Sequence, residues 1–205
     1  MPERLPMFPL NNGLVPGALL PLRIFEERYL TMIDACLAAG REFGVVLIER
    51  GSEVGGGDQR YRVGTVAKIM GIRTMADGTT LTIARGVQRM RVVDWLEDDP
   101  YPQAMIDRID DPTDWEVDPR ERRRLDEAFA RGVGLLGERG VEVGAAMALP
   151  ADAGAAVFQA IALIPVEAHD RQRILEIDDP ATRLRAAVVA LVDTNELTTL
   201  RLSSS

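Results

Sequence analysis

Two hydrophobic periods divide the chain. Up to about residue 110, apolar residues come in short β-branched runs or alternate with polar ones. Phe43–Ile48 reads as a buried strand. From Tyr61 to Ile72, Val63, Thr65, Ala67 and Ile69 alternate with Arg62, Gly64 and Lys68. Asp77-Gly78 then separates this run from Thr79–Ile83, and an Asp-Gly step between two strands predicts a hairpin, because its turn needs positive φ. Gln88–Trp95 and Gln103–Ile109 read as further strands. The prolines of Leu5-Pro6-Met7-Phe8-Pro9-Leu10 and Leu19-Leu20-Pro21-Leu22 cannot donate to a ladder, which assigns both segments to edge strands or strand ends. One helix interrupts this half. It begins near Glu26, carries Phe25, Tyr29, Met32, Ile33, Cys36 and Leu37 at helical spacing, and stops at Gly40.

Beyond Asp110-Asp111-Pro112 the period becomes helical. Asp118-Pro119 and Asp179-Pro180 each place a cap residue before a proline at the first helical position. Leu125, Phe129, Val133 and Leu136 line the first of these helices, and Leu184, Ala187, Val188, Leu191 and Val192 the last. Ala151–Leu163 and Val166–Ile177 supply two more, and Ser203-Ser204-Ser205 reads as a disordered tail. The expected class is α+β: a mostly antiparallel sheet or pseudo-barrel with one inserted helix over residues 1–112, then a bundle of about four helices over 113–202 that packs on it.

Composition narrows the function. A net charge of −8 opposes binding to phosphate backbones, so DNA is not an expected partner and RNA is disfavoured. One cysteine, Cys36, excludes an internal disulfide and fits a reducing compartment. No apolar run reaches the length of a bilayer span, and the N-terminus lacks a secretory pattern, so a soluble cytoplasmic protein is expected.

The chain resembles the N-terminal, substrate-binding domain of the Lon protease. The resemblance rests on Leu5–Leu10 with Pro16-Gly17, on Leu20-Pro21-Leu22-Arg23-Ile24-Phe25-Glu26-Glu27-Arg28-Tyr29, and on Phe43–Ile48. Val63-Gly64-Thr65, Asp77-Gly78, Arg85-Gly86, Arg89-Met90-Arg91-Val92 and Pro100-Tyr101-Pro102 extend it. It implies a PUA-like β fold with an appended helical bundle, and engagement of polypeptide. The chain has no Gly-x-x-x-x-Gly-Lys-Ser/Thr loop and no sequence of a Ser-Lys protease domain, so it looks like a standalone member.

Candidate chemistry is sparse. The serines are Ser52, in the glycine-rich loop Gly51–Asp58, and the three at the C-terminus, none in a nucleophile elbow. A Ser52–Lys68 dyad would need tertiary proximity. Gly132-Val133-Gly134-Leu135-Leu136-Gly137 matches a dinucleotide fingerprint in letters but follows a helical pattern instead of a strand, so the glycines are assigned to loosening or close packing of a helix. Cys36 is assigned to core, His169 to the surface, Gly55-Gly56-Gly57 to a connector, and Arg122-Arg123-Arg124 to a solvated helix face. The acidic residues Asp98, Asp99, Asp107, Asp110 and Asp111 lack calcium-loop spacing. No catalytic residue, metal or cofactor is assigned. The expected function is non-catalytic recognition of a polypeptide or protein, with hydrolase and RNA-binding roles as alternatives. A protease, an unfolded chain or a second copy of the protein are candidate partners. Trp95, Tyr101 and Trp115 bracket the junction of the halves and are the first candidates for peptide contact.

Overall fold

The computed structural model describes residues 1–50, 59–141 and 148–204; Ser52, the triglycine and the rest of loop 51–58 lie outside the described residues. The chain divides into two compact units, Met1–Asp110 and Asp111 onward.

The first unit contains β1 (Glu3–Leu10), β2 (Leu19–Ile24), α1 (Glu27–Ala38), β3 (Glu42–Arg50), β4 (Gln59–Thr74), β5 (Thr80–Trp95) and β6 (Gln103–Ile109). The sheet order is β2-β5-β4-β3-β1-β6, and β6 also pairs with β5. Five strands therefore close on themselves, and β2 hangs outside the ring on the first half of β5. Only β1 and β3 run parallel among the described pairings.

β1 corrects the edge assignment: it lies inside the sheet, between β3 and β6, despite Pro6 and Pro9. Its backbone explains how. Glu3–Pro6 pair with β6, and Met7–Leu10 pair with β3. The Met7 amide donates to the Pro102 carbonyl at 2.8 Å, on the β6 side. Since successive backbone groups alternate sides, Pro6 nitrogen faces the β3 side before β3 pairing begins, and Pro9 nitrogen faces the β6 side after β6 pairing ends. Neither proline removes a ladder bond. β2, with Pro21, is the edge strand that the composition predicts. The runs Thr79–Ile83 and Gln88–Trp95 are one continuous strand, β5, whose Arg85–Gln88 stretch bends past β4 at a register shift opposite Val66/Ala67.

The strand wall separates two cores. Leu5, Met7, Val46, Val66, Met90, Val92, Ala104 and Ile106 fill the ring. On the opposite face, Phe8, Leu10, Leu14, Phe43, Val45, Ala67, Ile69 and Ala84 pack against Tyr29, Met32, Ile33 and Cys36 of α1. Tyr29 stacks on Phe8 with ring centroids 4.2 Å apart. Burial raises the Cys36 thiol to about 11, which makes it an unreactive core residue at neutral pH. Gly40, at φ +96°, ends the α1 segment.

The second unit holds α2 (Pro119–Glu138), α3 (Ala153–Leu163), α4 (Ala168–Glu176) and α5 (Pro180–Ser203). Asp118, Asp152 and Asp179 each accept a hydrogen bond from an amide of the first turn, so the Asp-Pro devices cap as expected. Gly132 accounts for the glycine motif: a Cβ there would stand 2.7 Å from Ile164 Cδ1 and 2.9 Å from Asn195 Oδ1. Close α2–α5 approach needs that glycine, and Asn195 seals the contact by donating to the Ala128 carbonyl at 2.8 Å. α5 runs through Ser203, which the sequence reading leaves in a disordered tail; Ser203 Oγ donates back to the Thr199 carbonyl at 2.8 Å.

Candidate functional site

The first half of β5 inverts the usual burial of a strand. Thr80, Thr82 and Ala84 face the core, while Leu81 and Ile83 are 40% and 51% exposed. Thr82 Oγ1 is buried without a hydrogen-bond partner. Turning this strand over would hide the aliphatic side chains and solvate the hydroxyls. The register forbids it, because Ala84 must sit opposite Ile69 against the α1 core and Gly86 must pass under a crossing segment.

That crossing segment is Leu14–Ala18. The Thr65 hydroxyl donates to the Leu14 carbonyl at 2.6 Å. The Gly17 amide donates to Gly86 at 2.8 Å, and the Gly86 amide to Ala18 at 2.9 Å. A Cβ on Gly86 would run into the Val15 carbonyl oxygen. Thr65, Gly86 and Pro16-Gly17, which the sequence offers only as isolated short motifs, thus form one clamp that delivers the chain into β2.

The clamp decides which side of β2 is open. Ala18 turns its carbonyl toward β5, so the backbone groups of Leu19, Pro21 and Arg23 point to the unpaired side of this edge strand. The side chains of these residues lie on the same face as Leu81 and Ile83, with Leu19 across from Arg85, Pro21 across from Ile83, and Arg23 across from Leu81. Leu19 is 66% exposed, and Met70, the extra residue at the β4 register shift, is exposed beside Ile83. An apolar strip therefore adjoins a row of available backbone donors and acceptors, the arrangement that strand addition uses.

Charge surrounds the strip. On the same face Lys68 stands across from Arg85, and Arg73 across from Leu81. Arg23 meets Asp77 at 3.6 Å, both side chains well exposed, a pair of little energetic weight. The Asp77 carboxyl is held below the usual range chiefly by accepting from Thr79 at the hairpin, where Gly78 takes φ +81°.

Two of the three aromatic candidates, Trp95 and Tyr101, pack against different cores of the first unit. Trp95 packs against the core of the ring, with the Arg60 guanidinium 4.7 Å from its centroid. Tyr101 packs against the α1 core instead. Trp115 is half-buried in the second unit. The acidic residues are dispersed among separate partners: Asp98 with Arg60, Asp110 with Gln88, and Asp111 with Arg183. Arg122 and Arg124 pair with Asp126 and Glu121 along α2, and His169 is exposed at the start of α4. Among the described residues no group of His, Cys, Asp and Glu could hold a metal. The Ser52 half of the imagined Ser52–Lys68 dyad lies outside them, and Lys68 is an exposed strand residue.

Residues 4–193 match the ATP-dependent protease La (LON) substrate-binding domain. The chain belongs to this family. This LON substrate-binding domain is 32% identical to Lon protease 2 of Herpetosiphon aurantiacus over 91% of its own length, which is 23% of the relative's. It is 27% identical to the Lon protease of Syntrophus aciditrophicus over 100% of its length and 26% of that protein. The chain thus spans about a quarter of each relative. Among solved structures, it superposes on a Lon N-terminal domain protein from Xanthomonas campestris with a TM-score of 0.67 and 27% identity, covering 91% of this chain and 98% of that one. The N-terminal domain of a Mycobacterium avium complex Lon protease shares the fold, with a TM-score of 0.64, 18% identity, and coverage of 93% and 99%. The α+β expectation and the family resemblance both hold.

Proposed function

We propose that this LON substrate-binding domain is a non-catalytic module that grasps extended polypeptide at the open edge of β2 and the apolar strip beside it. The observation that carries the reading is the inversion of β5, which exposes Leu81 and Ile83 at the expense of a buried, unpartnered Thr82 hydroxyl. A fold serving stability alone would gain by burying those two side chains, each worth about 2 kcal/mol. Family membership supplies the polymer class, and the edge supplies the means of holding a chain without reading its exact sequence, since main-chain bonds carry affinity.

The reading includes no peptidase or nucleotide chemistry of its own, with proteolysis left to a separate partner. It places the protein in the cytoplasm; none of the described helices is long and apolar enough to cross a membrane. The β unit is assigned the recognition role. Trp95, Tyr101 and Trp115 become secondary contacts at most, because the first two serve different cores.

Fluorescence anisotropy with labelled, unfolded β-casein tests the proposal. The parent chain should bind, and Leu81→Ser with Ile83→Ser should weaken binding about tenfold, in line with loss of central apolar contacts. Thermal melting should stay within about 1 kcal/mol of the parent, because both side chains are already exposed. Absence of binding by the parent, or unchanged affinity in the double variant, contradicts the reading.

A further inference from the structure

The charges on the β2–β5–β4 face point to a more specific partner, and this inference rests on the recognition role proposed above. Lys68, Arg73 and Arg85 are exposed on one face of β4 and β5, and none of them has an ion-pair partner among the described residues. This is out of keeping with the rest of the chain, where acidic groups outnumber basic ones and the net charge is −8. Arg108 holds both Glu3 and Glu42, and so draws away the acid that stands across from Lys68. The face is thus a local cationic field on an anionic protein, centred on the exposed Leu81 and Ile83.

We infer that this face selects extended segments that present both acidic and apolar side chains to it, at every second position along the strand. A segment added to the open side of β2 would lie one strand spacing, about 4.8 Å, from it and about 10 Å from β5. Its side chains on this face would adjoin Leu19, Pro21 and Arg23, with the long Arg85 side chain reaching toward them from β5 and Arg73 and Lys68, about 14 Å away on β4, adding to the field. Acidic groups there lie in the field of three cations without ion-pair partners among the described residues, while apolar groups cover Leu19 and Pro21 and extend the strip that Ile83 begins. A second copy of the same strand is the wrong occupant, because it would set one cationic face beside another. A nucleic acid would bring matching charge but neither the apolar side chains nor the strand backbone that the edge and strip accommodate.

The test uses the full chain and short fluorescein-labelled peptides, one repeating Val-Ser-Glu-Ser (Val-Glu) and one repeating Val-Ser-Lys-Ser (Val-Lys), so that valine and charge share one strand face, with an oligothymidylate of equal charge as the third probe. The Val-Glu peptide should bind about tenfold more tightly than Val-Lys at low salt, and the gap should close near ~1 M NaCl. Arg73→Glu with Arg85→Glu should reverse the preference, and the milder Arg85→Gln should reduce it, both with circular-dichroism melts matching the parent. Equal affinity for the two peptides, an oligothymidylate that binds as tightly as Val-Glu, or a preference unmoved by the charge reversal overturns the inference. If unfolded β-casein still binds while the peptides show no charge preference, only the acidic selectivity fails. If neither casein nor any peptide binds, the recognition role fails with it.

Discussion

Gly64→Ala will destabilise the β unit by about 3 kcal/mol, the upper range for overpacking a core. A Cβ at this position meets the Val45 carbonyl oxygen, and it stands 2.8 Å from Val46 Cγ1 and 3.1 Å from the Met90 methyl. The obstacle is backbone, so a rotamer change cannot relieve it. Moving β3 away breaks the Val46–Gly64 register, and with it the wall shared by both cores. Urea unfolding followed by Trp95 fluorescence, in a Trp115→Phe background, will report this unit. Gly71→Ala is the control: it lies on the same strand with nothing within 4 Å of its Cβ, and should change stability by less than about 1 kcal/mol. A Gly64→Ala midpoint equal to that of Gly71→Ala would show that the strands have slack the packing does not suggest.

Arg183→Met will destabilise the helical unit by about 3 kcal/mol, the lower end for removing one partner of a buried ion pair. Arg183 is 1% exposed near the start of α5. Its guanidinium donates to Asp111 at 2.6 Å, to the Ile177 carbonyl at 2.9 Å and to the Asp178 carbonyl at 3.2 Å, and lies 5.1 Å from the centroid of Phe158. One planar group therefore ties the first residue of the unit to the α4–α5 turn and to α3. Methionine keeps the apolar stem but orphans two carbonyls and a carboxylate. Lysine keeps the charge yet cannot make the forked contacts, so Arg183→Lys should recover less than half of the loss. Arg185→Met, on the exposed side of the same helix, should leave the unfolding midpoint within about 0.5 kcal/mol. Trp115 fluorescence in a Trp95→Phe background reads the transition, and equal midpoints for Arg183→Met and Arg185→Met would contradict this role.

Local physics made part of this fold legible. Asp77-Gly78 needed only the φ preference of glycine, and Asp118-Pro119 and Asp179-Pro180 only the unsatisfied amides of a first helical turn. The Cys36 face of α1 followed from period alone. What the chain did not disclose locally was set by pairing. Pro6 and Pro9 suggested an edge, yet β1 changes partner between them, and no property of the hexapeptide itself encodes that change. The apparent gap between Ile83 and Gln88 is a bend held by Gly86 under the Leu14–Ala18 crossing, a contact spanning some seventy positions. The candidate face was hidden for the same reason. Alternation in Thr80–Ile83 is visible, but which phase faces inward depends on Ala84 meeting Ile69. Aromatic side chains drew attention to Trp95 and Tyr101, whereas aliphatic residues in the exposed phase of β5 mark the surface that the fold leaves open.

The central claim is that polypeptide is held at one sheet edge by backbone pairing and an apolar strip. Amide chemical-shift mapping of the isotope-labelled full chain, titrated with unfolded β-casein, tests it most directly. The account predicts shifts and new exchange protection at the Leu19 and Arg23 amides, with smaller shifts along Leu81–Arg85, and intact casein after incubation. Perturbations that leave β2 and β5 untouched while moving other surfaces, or cleavage of the casein, would contradict it.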